Sequence, residues 1–150
     1  MGKGVYRRVS WEGRGVNQVQ PNVFRSSFEK GETIFPEGEV GHCAYLVETG
    51  AVNIMKVMEG REVKLATIGE NGVFGEMALI DAKPRMASAV AASPTSCFVI
   101  PAARFHSKMD GLDPFMRGLI RVLTTNLRVL SERYASDVDI EALFREGGGI

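Results

Sequence analysis

Metal ligands, reactive thiols and an excess of charge of either sign are what this sequence has least of. It holds two cysteines, Cys43 and Cys97, and two histidines, His42 and His106. The cysteines form no C-x-x-C pair and have no neighbouring ligand set, which argues against a disulfide framework or a zinc-finger spacing. Each sits in an apolar, strand-like stretch, where a buried reduced thiol is expected. His42 falls in a loop and His106 on a short helix, each without a second ligand candidate, so nothing supports haem or zinc. Eighteen basic side chains match eighteen acidic ones. A net charge of zero leaves no electrostatic footprint for nucleic acid. No long uncharged apolar run is present, so no membrane span is predicted. The N-terminus has no apolar signal core, and Tyr6 breaks the myristoylation pattern that Met1-Gly2 would begin. A cytoplasmic protein is expected. No Ser/His/Asp grouping and no metal-spaced ligands are visible, so binding rather than catalysis is the expected activity, with no cofactor.

What is present reads as one soluble globular domain. The 150 residues are 45% apolar and 24% charged, enough to enclose a core. Residues 1–22 are glycine-rich and without periodicity, an N-terminal arm. From 23 to 100 the chain reads as short strands: 23–28, 33–35, 44–48, 51–57 and 62–68, then 86–90 and 96–100. Glycine and proline separate them, as in a sandwich or barrel. Pro101 starts a short helix to about Met109.

The densest pattern is residues 74–90, FGEMALIDAKPRMASAV. It reads as a short strand, one helical turn, a polar turn and a second strand. Gly75 lets backbone approach a ligand closely. The first amides of the helical turn, near Ala78 and Leu79, lack intrahelical partners and suit an anion. Arg85 brings a planar fork matched to two phosphate oxygens, and Glu76 accepts hydrogen bonds from a sugar hydroxyl. An anion site beside a hydroxyl acceptor points to a ribose phosphate. The alternative is a sheet corner in which Glu76 and Arg85 form a surface ion pair.

This stretch resembles the phosphate-binding cassette of the cyclic nucleotide-binding domain family, whose pattern is close to F-G-E-x-A-L-x(4)-P-R-x-A-[ST]-V. Phe74, Gly75, Glu76, Ala78, Leu79, Pro84, Arg85, Ala87 and Ser88 match, and Ala89 departs. Gly31 to Gly38 is similar to the family's G-x-x-I-x-x-x-G entry, and Tyr45 to Val52 to its Y-x-[IV]-x-x-G-x-V segment. The resemblance covers about residues 28–134. It implies a mainly β fold, an eight-stranded jelly-roll-like β-roll with flanking helices. It implies that Glu76 binds the ribose 2′-hydroxyl and Arg85 the cyclic phosphate, with amides near Gly75, Ala78 and Ala87 completing the cradle. Met77, Leu79, Met86 and Ser88 belong to the same candidate site. Family members that bind cGMP often carry a hydroxyl at the position of Met86, so cAMP is favoured over cGMP. The family's iron–sulfur sensors need four cysteines and are excluded.

Asp113-Pro114 pairs a cap with proline at the first helical position, which predicts a helix to about Ala135. Met116, Ile120, Leu123, Leu127, Leu130 and Tyr134 follow at spacings of 4, 3, 4, 3 and 4, a heptad seam. Phe115, Leu119, Val122 and Val129 widen it. One face packed on the roll needs fewer apolar residues, which leaves apolar surface for a homodimer through the helix over 113–135. Leu127 to Glu132 resembles the helix segment that covers the base in the catabolite activator branch of the family. Ser131 becomes the candidate base contact, with a hydrophobic lid by Leu130 or Tyr134 as the alternative. Residues 137–146 are acidic and weakly amphipathic, and 147–150 form a tail. The expectation is a binding module, residues 23–146, that signals through its C-terminal helices to a protein partner or sequesters the ligand. Three other readings stand beside it. Arg7-Arg8-Val9-Ser10-Trp11 resembles a substrate motif of cyclic-nucleotide-dependent kinases, which would suit a kinase-inhibiting regulatory fragment. The others are a channel gating domain and a scaffold that binds no ligand.

Overall fold

The structure, a computed structural model, describes the backbone of residues 23–146 and the side chains of residues 23–133. The N-terminal arm, the kinase-motif segment within it, Tyr134 and the tail lie outside the residues whose side chains are described. Among the described residues there are eight strands: β1 (Phe24–Phe28), β2 (Thr33–Phe35), β3 (Cys43–Thr49), β4 (Val52–Met58), β5 (Arg61–Ile68), β6 (Val73–Phe74), β7 (Ser88–Ala91) and β8 (Thr95–Pro101). Three helices accompany them: α1 (Met77–Ile80), α2 (Ala102–Asp110) and α3 (Pro114–Glu146).

The strands form two four-stranded sheets, ordered β1-β8-β3-β6 and β2-β7-β4-β5, with every pair antiparallel. Alternation builds the interior. Along β8, Thr95, Cys97, Val99 and Pro101 are buried, and the residues between them are half-buried, the period-2 pattern of a strand with one face on a core. Phe28, Ile34, Phe35, Tyr45, Val47, Val52, Phe74 and Val99 fill the space between the sheets. Both cysteines are buried free thiols, as their apolar context predicts, and burial pushes Cys97 up to about 11. The mainly β fold and its eight strands agree with expectation.

The C-terminal helix differs. It runs unbroken to Glu146 instead of ending near Ala135, so the acidic stretch after Asp137 continues it. The Ser136-Asp137 step carries no glycine or proline to break a helix. Residues facing the roll also differ from the heptad seam. Arg117, Ile120, Thr124, Arg128 and Ser131 form the more buried stripe, with Thr124 only 4% exposed. The helix packs on α1, β4 and β5. Most of the seam is left outside: Phe115, Met116, Leu119, Val122, Leu123, Leu127, Val129 and Leu130 are all exposed.

Candidate functional site

The cassette starts where β6 meets α1. Gly75 has φ +77°, and a Cβ there would lie 2.9 Å from Arg85 Nη1 and 3.2 Å from Phe35 Cε1. Glycine is therefore required both for the backbone angle and for the contact. Glu76 stands at the helix N-cap without a side-chain cap bond. The amides of Leu79 and Ile80 both donate to the Glu76 carbonyl at 3.0 Å. Leu79, expected to offer an open amide to an anion, is thus engaged: in a one-turn helix the third amide folds back onto the cap. Asp81 closes the turn and accepts the Lys83 amide at 3.2 Å. Pro84 then feeds the chain into Arg85.

Arg85 turns inward and is 5% exposed. Its Nη1 donates to the Gly75 carbonyl at 2.5 Å and its Nη2 to the Cys43 carbonyl at 2.7 Å. The guanidinium carbon lies 4.0 Å from the centre of the Phe35 ring, a stacked cation–π contact. Phe35, Tyr45 and Phe74 pack together beneath it, with Tyr45 and Phe74 stacked at 4.9 Å. Gly41 closes the other side, where a Cβ would lie 2.8 Å from Ala78 Cβ and 3.1 Å from Arg85 Cζ. The surface ion pair considered from the sequence is therefore not what forms. Arg85 is an interior cation gripped by backbone carbonyls of two separate elements. Desolvation lowers its pKa, opposed by the fields of Cys43, Tyr45, Glu39 and Glu76, and a guanidinium remains charged. One of its donors, Nε–H, is buried with no hydrogen-bond partner among the described residues. An unpartnered buried donor on a charged group is costly, and an anionic oxygen would satisfy it.

Glu76 is half-buried next to this cation. Burial raises its carboxyl pKa, opposed by its own backbone amide and by the Arg85 charge. Binding that uses the carboxylate as a charged acceptor should weaken as the pH falls, beginning above the ordinary glutamate range. Ligand-free stability should move the other way. A raised folded value means the folded state binds more protons, so stability rises as the pH falls from that value to the unfolded one. Titrations across pH 4–7 check both signs, and Glu76→Gln should flatten the binding profile.

Of the remaining candidates, Ala78, Leu79 and Ala87 are buried, while Met77 and Met86 are half-buried. The Ser88 hydroxyl accepts the Glu37 amide at 2.9 Å, so it ties the cassette to the loop after β2. Ser131 lies on the roll-facing stripe of α3, its hydroxyl donating to the Leu127 carbonyl at 2.7 Å. Leu130 is 59% exposed and points away from that stripe, so it forms no lid over the cassette in this arrangement. Sequence reasoning missed Phe35, Gly41 and the Cys43 carbonyl as parts of the Arg85 seat. It also missed the pair formed by Asp81 and Arg128. Arg128 Nη2 donates to Asp81 Oδ1 at 2.9 Å, and Nε donates to Oδ2. Both side chains are about an eighth exposed, at 13% and 12%. This fork joins the end of α1 to the middle of α3.

Comparison with known proteins points to the family that the cassette resembles. Residues 25–111 match the Cyclic nucleotide-binding domain family. The cyclic AMP receptor protein of Thermus thermophilus is 32% identical over 105 residues, which are 69% of this chain and 49% of that protein. The regulatory subunit of cAMP-dependent protein kinase from Candida albicans is 28% identical over 116 residues, 77% of this chain and 22% of that protein. Among solved structures, an EAL enzyme in its cAMP-bound form superposes with a TM-score of 0.69 at 32% identity, covering 82% of this chain and 32% of that one. The chain thus spans about half the length, or less, of these three relatives. With the fold, the Arg85 seat and a match over most of the domain in agreement, the chain belongs to the cyclic nucleotide-binding domain family.

Proposed function

We propose that this chain binds a cyclic nucleotide at the cassette, favours cAMP over cGMP, and passes the binding event to a protein partner through α3. The carrying observation is the buried Nε–H of Arg85, a charged donor without a partner among the described residues, beside a half-buried carboxylate. In this reading Arg85 pairs with the cyclic phosphate and Glu76 with the ribose hydroxyl. Backbone amides near Gly75, Ala78 and Ala87 complete the cradle, and Ser131 approaches the base. The preference for cAMP rests on Met86, which offers no hydroxyl to guanine. The named relatives that respond to cAMP support the ligand class. The EAL enzyme was also solved with cGMP bound, at 30% identity, so the fold itself accepts both bases.

The role is regulatory rather than catalytic, in a cytoplasmic setting. The exposed apolar row of α3 from Phe115 to Leu130 suits a helix-to-helix contact between two copies. Coupling runs through the Asp81–Arg128 fork, because α1 carries Glu76 at one end and Asp81 at the other. A ligand that holds the two arrangements of α3 with different affinity shifts their populations. Hydrogen exchange over residues 113–146, with and without saturating cAMP, tests this. Altered protection in α3 is expected, and unchanged protection would contradict the coupling.

A further inference from the structure

Strand β4 carries a charge on its inner face. Val52 is fully buried and Ile54 packs on the core. Side chains two apart on a strand share a face, so Lys56 continues this line, and its cross-strand partner Val63 is buried. The Lys56 side chain is 14% exposed. An ammonium with so little water needs acceptors. It donates to the Met86 carbonyl at 2.8 Å and to the Glu37 carboxylate at 3.2 Å. The second Glu37 oxygen accepts the Val57 amide at 3.0 Å, and the Glu37 amide donates to Ser88. Two backbone bonds bind the same segments: Gly38 N–H to the Arg85 carbonyl, and Arg85 N–H to the Glu39 carbonyl, both at 2.8 Å. Three pieces of chain therefore meet at Lys56, namely residues 37–39, strand β4 and cassette residues 85–88.

We infer that Lys56 is a positioning residue of the nucleotide site, an assignment resting on the cyclic-nucleotide reading. Held by Glu37, its ammonium fixes the Met86 carbonyl and so the path of the chain from Arg85 to Ser88. Arg85 must reach carbonyls on two separate elements from that path and still present Nε–H to an anion. A small drift of the segment misaligns all three directions, and hydrogen bonds weaken steeply with angle. An exposed ion pair would contribute little. Lys56 differs because it is mostly enclosed and bonds the cassette backbone itself.

The test uses Lys56→Met, which keeps an apolar stem without the cation, and Lys56→Arg, which keeps the cation and its donors. Each is titrated calorimetrically with cAMP and with cGMP, and the Arg85 Nε–H resonance is recorded without ligand. Lys56→Met should bind both nucleotides about tenfold more weakly. Their affinity ratio should stay constant, because the phosphate and ribose they share are what the segment positions. The Arg85 resonance should shift, and Lys56→Arg should recover most of the affinity. A changed cAMP-to-cGMP ratio would mean that Lys56 reads the base, and an unmoved resonance with unchanged affinity would leave it a plain ion pair. Either result overturns the assignment, as would a lowered melting temperature with intact binding. If the unaltered chain binds neither nucleotide, the cyclic-nucleotide reading fails, and the ligand-free resonance still decides whether Lys56 positions Arg85.

Discussion

Arg85→Ala should weaken cyclic-nucleotide binding by about 3 kcal/mol, roughly a hundredfold. The variant removes the charge that meets the phosphate and the interior support of the cassette together. The carbonyls of Gly75 and Cys43 lose their donors, and Phe35 loses the cation stacked on its face. Folding stability should therefore fall as well, which a thermal melt without ligand would separate from the binding loss. Arg85→Lys should do little better. One ammonium cannot reproduce a planar fork that spans two elements and still presents a third donor. Unchanged affinity in either variant would mean that the anion site is elsewhere.

The second large effect concerns the fork between α1 and α3. Arg128→Ala or Asp81→Asn should cost about 2–3 kcal/mol, because one partner of a mostly enclosed bidentate pair is stranded. Coupling should suffer more than binding. With the fork gone, α3 should lose its ligand-dependent change in hydrogen exchange, while the cassette retains most of its affinity. A full ligand response of α3 in both variants would contradict the fork's role. The pH range follows from Asp81. Burial opposes its ionisation, but the hydrogen bonds from Arg128 and the Lys83 amide, with both charges, hold its pKa below the ordinary aspartate range. A depressed carboxyl stabilises the fold above the unfolded value and loses that contribution as the pH falls through the folded one. The fork should therefore stay intact at neutral and mildly acid pH and open only below the ordinary aspartate range.

The cassette was legible because its pattern is local. Gly75, Glu76, Pro84 and Arg85 fall within one short stretch, and each constrains the backbone or carries the charge that the site uses. The strands were legible because glycine and proline separate them and because β8 alternates cleanly. The seat of Arg85 was not. Cys43 contributes only its carbonyl, which any residue could supply, and Phe35 looks like ordinary core. Gly41 becomes meaningful only once Ala78 and Arg85 lie against it. These contacts join residues far apart in sequence, and no periodicity announces them. The α3 helix shows the opposite failure. Its heptad spacing was plain, yet the spacing could not say which face meets the roll. The stripe through Thr124 and Arg128 won that contact, and most of the apolar seam stayed outside. Arg128 carries no local signal for its role, because its partner stands 47 residues away.

Calorimetric titration of the whole chain with cAMP and with cGMP, at fixed salt, tests the central claim most directly. Saturable one-site binding of cAMP is expected, tighter than that of cGMP and greatly weakened in Arg85→Ala. Absence of heat with both nucleotides, or equal affinity in Arg85→Ala, would contradict it.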